Sequence, residues 1–553
     1  MKLKYIFISG GVISGIGKGI TTSSVALLLK AAGYKVTPVK CENYLNVDAG
    51  VINPIEHGDP FLCEDGTEAD MDIGTYEKFL HEDMSRSNFV TMGQIYKDVI
   101  ERERRFEYEG EDVEAIPHIT NEILRRIDLA AKDTKAEIVI VELGGTAGEY
   151  QNVLYYEASR ILTLKNPGDV IHIHVSYLPT PSHLGEPKTK PTQLSVRSLN
   201  SMGIQPDFIV GRSEKPMDMR RKERLALFCN LHTDDVISSP DAGSVYEVPL
   251  QFADQHFHTR IMEKLRLEQR TPDLHDWKEL IDRVKAKKEK TITIGIVGKY
   301  FGTGDYELRD SYAALFDAIE HAAWANEVKV KTKWISAEKI EKDGVEAHLK
   351  KEDIDGIIVP IGWGERGAEG MISAASYARE QKIPYLGLCY GMQLAVIAFA
   401  RDMIGWNDAN TEENVKDGAH NVIHLMPKQE DVMKRRAYGG TMRLGSWEAK
   451  VKPGTIAWDA YDKGNGFIDK EKGLTSERHR HRYEFNDAFV KEFEEKGLVI
   501  SARSVVENLT EIIELPKDVH PFYLGTQGHP EYKSRPLSPH PIFVSFIKAC
   551  NAG

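Results

Sequence analysis

Cys389 lies in IPYLGLCYGMQLAVIAFA, which reads as an apolar strand, a turn flanked by glycines, and an apolar helix. Such a strand–turn–helix presents one side chain at a strained elbow beside backbone N–H donors, and a thiol at a helix start has its thiolate form favoured. The bland alternative is a buried structural thiol. That is the reading for Cys41, Cys63, Cys229 and Cys550, which are scattered and in no C-x-x-C pair, so neither a disulfide framework nor a zinc site is expected. A nucleophile needs a base, and the base an orienting group. TQGHPEYKSRP supplies His529 and Glu531, two apart after the strand FYLGTQ and about 140 residues beyond Cys389. That spacing on an extended segment puts both side chains on one face. HPE alone is a weak signal; with the elbow it describes a nucleophile, base and carboxylate.

A second chemistry sits near the start of the chain. FISGGVISGIGKGITTSS follows a strand and opens a helix. Its glycines let backbone N–H groups approach phosphate oxygens, the helix N-terminus adds positive potential, and Lys18 adds a full charge. The segment departs from G-x-x-x-x-G-K-[ST]: Val12 stands at the first glycine, and Gly19 replaces the hydroxyl that commonly helps hold magnesium. Carboxylates must then take over. Asp72 lies in the acid-rich CEDGTEADMDIGTYEKF, with Glu64, Asp65, Glu68 and Asp70 nearby; most of these acids read as a solvated loop. Glu142 ends the strand EIVIVE, where ligand crevices form in parallel sheets, and oxygen ligands suit Mg²⁺.

The elements around these groups set the fold class. Runs at 5–9, 35–40, 137–143, 170–177 and 207–212 are strand-like, several continuously apolar, with a helix over 18–32 and further helices between. Continuous apolar runs suit strands buried on both faces of a parallel sheet, so an α/β layered fold is predicted. Residues 265–290 are charged and read as a linker carrying a short amphipathic helix. A fresh strand–turn unit begins at 291–300, followed by strands near 328–335, 356–360, 383–389, 498–504 and 510–516. This gives a domain at 1–268, a linker at 269–290 and a second domain at 291–553. At 553 residues two or more cores are required. The net charge of −13 argues against nucleic acid as the main partner. No apolar run of about 18 residues suggests a membrane span, and MKLKYIFISGG lacks the form of a signal peptide, so a cytoplasmic protein is expected.

GGVISGIGKG, NVDAG, NPIEHGDPF, EDGTEADMDIG, IPHIT, VELGGTAGE, KTKPTQ and ALFCN, in this order, resemble the synthetase domain of CTP synthases across residues 1–265. Residues 291–545 resemble a class I glutamine amidotransferase domain, and GGTMRLG and ERHRHRYE are features of the CTP synthase version. The resemblance implies a P-loop-like, Rossmann-type parallel sheet domain followed by an α/β amidotransferase domain. It implies ATP-dependent amination of UTP through a 4-phosphorylated intermediate, with ammonia from glutamine.

The resemblance also implies residue roles. Ser14, Gly15, Ile16, Gly17, Lys18, Gly19, Lys40, Asp72 and Arg212 would bind ATP, with Mg²⁺ on Asp72 and Glu142. Ser14, Glu149, Gln151, Lys188, Thr189, Lys190, Gln193 and Arg224 would bind UTP or the feedback inhibitor CTP. Cys389, His529 and Glu531 would form the triad, Gly362, Tyr390, Gln393, Glu413 and Arg480 would hold glutamine, and Arg366 would contact the activator GTP. Family members form homotetramers, and some form filaments. Two alternatives stand beside this reading. One is an amidoligase acting on a cofactor acid such as a corrin or biotin precursor, against which KTKPTQ and EDGTEADMDIG point to UTP. The other is a non-catalytic regulatory or filament-forming relative, against which Lys18, Asp72, Glu142 and the triad are retained.

Several positions depart from the family pattern. Gln151 replaces an acid in the stretch that senses CTP, and Arg224 replaces a lysine. Ile361 stands where a glycine is usual; a β-branched residue resists positive φ, which predicts a differently shaped oxyanion loop. Gly528 precedes His529 where an aromatic is common, and Tyr390 replaces a leucine.

Overall fold

KYIFISGG forms strand β1 (Lys4–Gly11), buried along its whole length. The same sheet holds β2 (Val36–Glu42), β3 (Phe89–Thr91), β4 (Ile138–Leu143), β5 (Val170–Tyr177), β6 (Phe208–Ser213) and β7 (Val236–Pro240). They pair in the order β3-β2-β4-β1-β5-β6-β7, parallel throughout. A sheet covered on both faces needs apolar residues at successive positions, which is why these runs do not alternate. A computed structural model describes residues 2–53, 58–183, 185–299, 302–303, 306–307, 309–349 and 354–552, so residues 54–57 of NPIEHGDPF lie outside it.

The chain divides into two compact units: Met1–Ala49 with Asp72–Val284, and Gly50–Met71 with Lys285–Gly553. The helix His275–Lys285, within the segment expected as a linker, lies almost wholly in the first unit, burying Trp277, Leu280 and Ile281. Trp277 Nε1 donates to the Tyr246 carbonyl at 2.8 Å and packs on Phe79 and Tyr246. Gly50–Met71 interrupts the first unit in sequence because its partners are charged residues more than 400 positions later. Arg478 donates through Nε to Glu64 at 2.9 Å and through Nη1 to the Leu62 carbonyl at 2.9 Å.

The second unit holds a nine-stranded sheet. Its strands are β8 (Thr291–Gly298), β9 (Lys329–Ser336), β10 (Gly356–Val359), β11 (Tyr385–Leu388), β12 (Arg443–Val451), β13 (Leu474–His481), β14 (Val499–Ser504), β15 (Thr510–Glu514) and β16 (Tyr523–Thr526). The order is β9-β8-β10-β11-β16-β15-β14-β12-β13. β9 to β16 run parallel, and the remaining pairs are antiparallel. Helices cover both faces through two apolar clusters, one centred on Met392–Ala400 and one on Ile292–Ile296 with Phe543–Ile547. Among the described residues, no helix is long and apolar enough to cross a membrane.

Candidate functional site

In the first unit the phosphate-type loop leads from β1 into helix α1 (Lys18–Ala31). The helix has no side-chain cap and no acid in its first turn, and Gly17 precedes it at φ 89. Its first N–H groups therefore await an acceptor, as at an anion site. Val12 adopts φ 80 and is exposed. A β-branched residue in the left-handed region is strained, and such strain gathers at ligand sites. Ser14, Gly15 and Ile16 form the loop crest, with Ser14 and Gly15 exposed.

The missing hydroxyl at position 19 has a structural reason. A Cβ on Gly19 would fall 2.1 Å from Asp72 Oδ1, so the carboxylate takes the space that a side chain there would fill. Asp72 stands in the first turn of helix α2 (Met71–Leu80). Lys40 on β2 is in register with Glu142 on β4. Its ammonium lies 2.9 Å from Glu142 and 3.3 Å from Glu42, and it also pairs with Asp72. Tyr76 donates to the second Glu142 oxygen at 2.5 Å, and Lys18 Nζ donates to the Gly145 carbonyl at 2.8 Å. Burial, with Asp72 beside it, raises the Glu142 carboxyl. Burial acts the same way on Asp72, but Lys40 overrides it and holds that carboxyl low. Burial and Lys40 together lower the Lys18 ammonium. The three carboxylates are hard oxygen donors in excess of Lys18 and Lys40, the donor type a divalent cation takes, although among the described residues they are not arranged as a formed metal site.

Arg212 donates to the Ser239 and Pro240 carbonyls and to Asp241. With Gly17, Ile20, Thr21, Asp241, Ala242, Val245 and Val248 it lines a cavity of about 170 Å³ beside α1. Of these, sequence reasoning named only Gly17 and Arg212. The segment after β7 offered no motif, but its place at the carboxyl end of a parallel strand was a usable signal.

KTKPTQ forms the entry to helix α3 (Lys190–Ser201). Thr189 and Gln193 are buried, with Gln193 Nε2 donating to Thr189 at 3.1 Å, whereas Lys190 is exposed and Lys188 pairs with Glu186. Glu149 accepts from both the N–H and the hydroxyl of Thr146, while Gln151 points into solvent on a short turn. Arg224 is exposed over the Phe228 ring.

In the second unit Cys389 caps helix α4 (Tyr390–Phe399) at φ 50 and ψ −98, a strained turn for a non-glycine residue. Gly391 is required because a Cβ there would lie 2.0 Å from the Val359 carbonyl. β11 and β16 are parallel neighbours with Leu388 opposite Thr526, so both reactive segments leave the same end of the sheet. His529 is fully buried, and its Nδ1 lies 2.7 Å from Glu531 Oε1. Among the described residues Nε2 meets no nitrogen or oxygen partner, and it faces the Cys389 sulfur and the reacting group. Burial alone would lower the imidazole; Glu531 and then the Cys389 sulfur override it and push it up to about 10.

Cys389 opens on a cavity of about 720 Å³ that Gly362, Tyr390, Gln393, Glu413 and Arg480 also line. The structure thus brings these five predicted residues together. Glu413 accepts the Gly364 N–H at 2.9 Å. Arg480 is buried, with Nε 2.6 Å from Glu68, Nη2 3.1 Å from the Gly50 carbonyl and Trp363 across its face. Arg366 is not among the lining residues; it pairs with Glu338 and donates to the Lys299 carbonyl.

The departures resolve into geometry. Ile361 is buried and keeps out of the left-handed region; positive φ in this loop falls at Gly364 and Gly367, both at φ 74. A Cβ on Gly528 would lie 2.7 Å from Glu477 Cβ, so β13 occupies the room an aromatic would need. Lys299 was missed. Its Nζ donates to the Trp363 and Gly364 carbonyls at 2.5 and 2.9 Å, over the Tyr390 ring, and burial lowers it to about 8.

The CTP synthase N-terminus family pattern matches residues 4–267, and the class I glutamine amidotransferase pattern matches residues 307–549. A CTP synthase of Carboxydothermus hydrogenoformans is 46% identical over 549 residues, covering 99% of this chain and 98% of the relative. The chain belongs to the CTP synthase family. A second CTP synthase, from Pyrococcus furiosus, is 45% identical over 99% of this chain and 97% of its own length. The glutaminase domain of a Trypanosoma brucei CTP synthase, solved with bound acivicin, is 33% identical with a TM-score of 0.41, covering 47% of this chain and 94% of that one. CTP synthases are ATP-using ligases of pyrimidine biosynthesis that carry a glutamine amidotransferase domain.

Proposed function

We propose that the first unit uses ATP to phosphorylate the 4-oxygen of UTP and lets ammonia displace the phosphate, while the second unit releases that ammonia from glutamine. The observation that carries the reading is the strained Cys389 elbow with the buried His529–Glu531 pair on one cavity. Cys389 adds to the glutamine side-chain carbonyl, His529 protonates the departing nitrogen, and Glu531 holds the imidazole through Nδ1. Backbone N–H groups of Gly362 and Tyr390 would receive the oxyanion. Gln393, Glu413 and Arg480 orient glutamine.

In the first unit Lys18 and Lys40 neutralise the phosphates that the glycine loop (14–19) cradles, and Arg212, which lines the cavity beside Gly17, also binds ATP. Lys188, Thr189, Lys190, Gln193 and Arg224 serve UTP, with Glu149 and Gln151 toward CTP as feedback inhibitor. Asp72 and Glu142 would hold Mg²⁺, which spreads charge over the phosphates. The exposed Gln151 replaces an acid and fits altered feedback. GTP as activator near Arg366, a homotetramer and a cytoplasmic setting complete the proposal.

The test is CTP formation assayed with glutamine and, separately, with ammonium. A Cys389→Ala variant should lose the glutamine-driven reaction and keep the ammonium-driven one. Equal loss of both would refute the division of labour.

A further inference from the structure

Gln527 precedes the triad histidine by two positions and has no role in the scheme above. It is buried, as are Cys389 and Gln393. Its Nε2 lies 3.4 Å from Cys389 Sγ, and its Oε1 lies 3.2 Å from Gln393 Nε2. Which end of a glutamine amide faces a neighbour is decided by the groups around it. Here the surrounding groups decide it.

The Arg443 guanidinium can only donate, and its Nη1 lies 3.3 Å from His481 Nε2. That nitrogen must therefore accept, which puts the ring proton of His481 on Nδ1, 2.9 Å from the Tyr483 carbonyl. The carbonyl can only accept, and Gln393 meets it at 2.9 Å, so that end of Gln393 is nitrogen. The same nitrogen faces Gln527, whose near end is therefore oxygen. The far end, against the sulfur, is then N–H. Arg443 itself is fixed at the root by Glu511, 2.7 Å away and buried like it. The backbone adds a second constraint: Gln527 N–H donates to the Glu511 carbonyl at 2.8 Å, and Cys389 N–H donates to the Thr526 carbonyl at 2.7 Å.

We infer that Gln527 is a catalytic residue of the glutamine site, donating an amide N–H to the Cys389 sulfur whenever that sulfur is anionic. This rests on Cys389 being the nucleophile, as proposed above. The sulfur carries charge twice in the cycle. It does so first as the thiolate that adds to the glutamine carbonyl carbon, before the C–N bond breaks and ammonia leaves with a proton from His529. It does so again when water, its proton taken by His529, adds to the thioester and the C–S bond breaks to release glutamate. A donor fixed on the sulfur favours both states and leaves the neutral thioester between them. His529 then need not supply the only hydrogen bond to the thiolate and keeps Nε2 for the substrate nitrogen.

The experiment compares full-length wild type with Gln527→Met, which keeps length without a donor, and Gln527→Glu, which keeps shape and reverses polarity. Alkylation of Cys389 by chloroacetamide is followed against pH by mass spectrometry of its peptide, alongside glutamine hydrolysis. In Gln527→Met, alkylation near neutral pH should slow about tenfold, as expected for one hydrogen bond to a charged group. The rate at high pH should return to the wild-type plateau, and kcat for glutamine should fall with KM little changed. Gln527→Glu should shift the alkylation curve to higher pH by at least as much. Curves that superpose on wild type overturn the inference, and so does a plateau lowered in proportion, which marks a merely structural residue. Wild-type Cys389 inert to the reagent at every pH would instead overturn the nucleophile reading beneath it.

Discussion

Glu531→Gln removes the carboxylate that holds His529 and changes almost no volume. Glu531 Oε1 and His529 Nδ1 are 2.7 Å apart and both residues are buried. Unit charges about 4 Å apart attract by about 4 kcal/mol at an effective dielectric of about 20. Dividing by about 1.36 kcal/mol per pH unit gives a fall of about three units for the imidazole. From about 10 in the intact protein, His529 would drop to near 7. The sign follows from the direction of the shift. An imidazole held at about 10, against 6.5 when unfolded, contributes stability that is fully present below 6.5 and lost as pH rises through about 10. In the variant, with about 7 against 6.5, that contribution is small and its loss is complete near neutrality. Under the proposed mechanism the starting ion pair persists only while His529 is protonated, so the basic limb of kcat/KM for glutamine, which belongs to the Cys389–His529 pair, should also move down by about three pH units. At about pH 8 the protonated fraction alone predicts about a tenfold loss, and the freed imidazole ring adds to it. The assay is kcat/KM for glutamine across the pH range, with ammonium-driven CTP formation measured in parallel. A variant whose basic limb coincides with that of the wild type would refute the electrostatic role given to Glu531.

Lys40→Met should leave the carboxylates of Glu42, Asp72 and Glu142 without their shared ammonium; breaking a buried ion pair costs about 3–5 kcal/mol, read as a lower denaturant midpoint that added Mg²⁺ partly restores. A midpoint unchanged, or indifferent to Mg²⁺, would contradict the site as described. Gly528→Phe, which puts back the aromatic common in the family, should overpack β13 and cost about 1–3 kcal/mol in thermal unfolding. It should also depress the glutamine-driven reaction more than the ammonium-driven one, and equal loss of both would count against the steric account.

The sequence made some of this structure easy to read. Strands such as Ile138–Leu143 are buried on both faces and so are apolar at successive positions, here Ile138 to Val141 before the functional acid Glu142. The elbow and the HPE segment keep their chemistry within a few neighbouring residues, and adjacent parallel strands bring them together. What escaped reading depends on distant partners. ERHRHRYE marks the family but holds no apolar run, so no strand is predicted there, yet Leu474–His481 is a largely buried strand because Glu64, Glu68 and Glu511 neutralise its arginines and the neighbouring Arg443. Gln527 has no motif of its own, since its meaning lies in which end of an amide meets a sulfur. Gly19 reads as a lost hydroxyl until Asp72 is seen in its place.

The pairing of Arg480 with Glu68 spans 412 residues. At synthesis rates of about 5–20 residues per second, Glu68 waits on the order of 20–80 seconds for its arginine to leave the ribosome. Until then the Gly50–Met71 segment has no unit to join. Closing so long a loop also draws on chain entropy before any contact rewards it. The acids Glu64, Asp65, Glu68 and Asp70, most of which read as a solvated loop, favour hydration of that segment before its partners exist. Hydration describes the nascent chain; pairing with arginine describes the finished one.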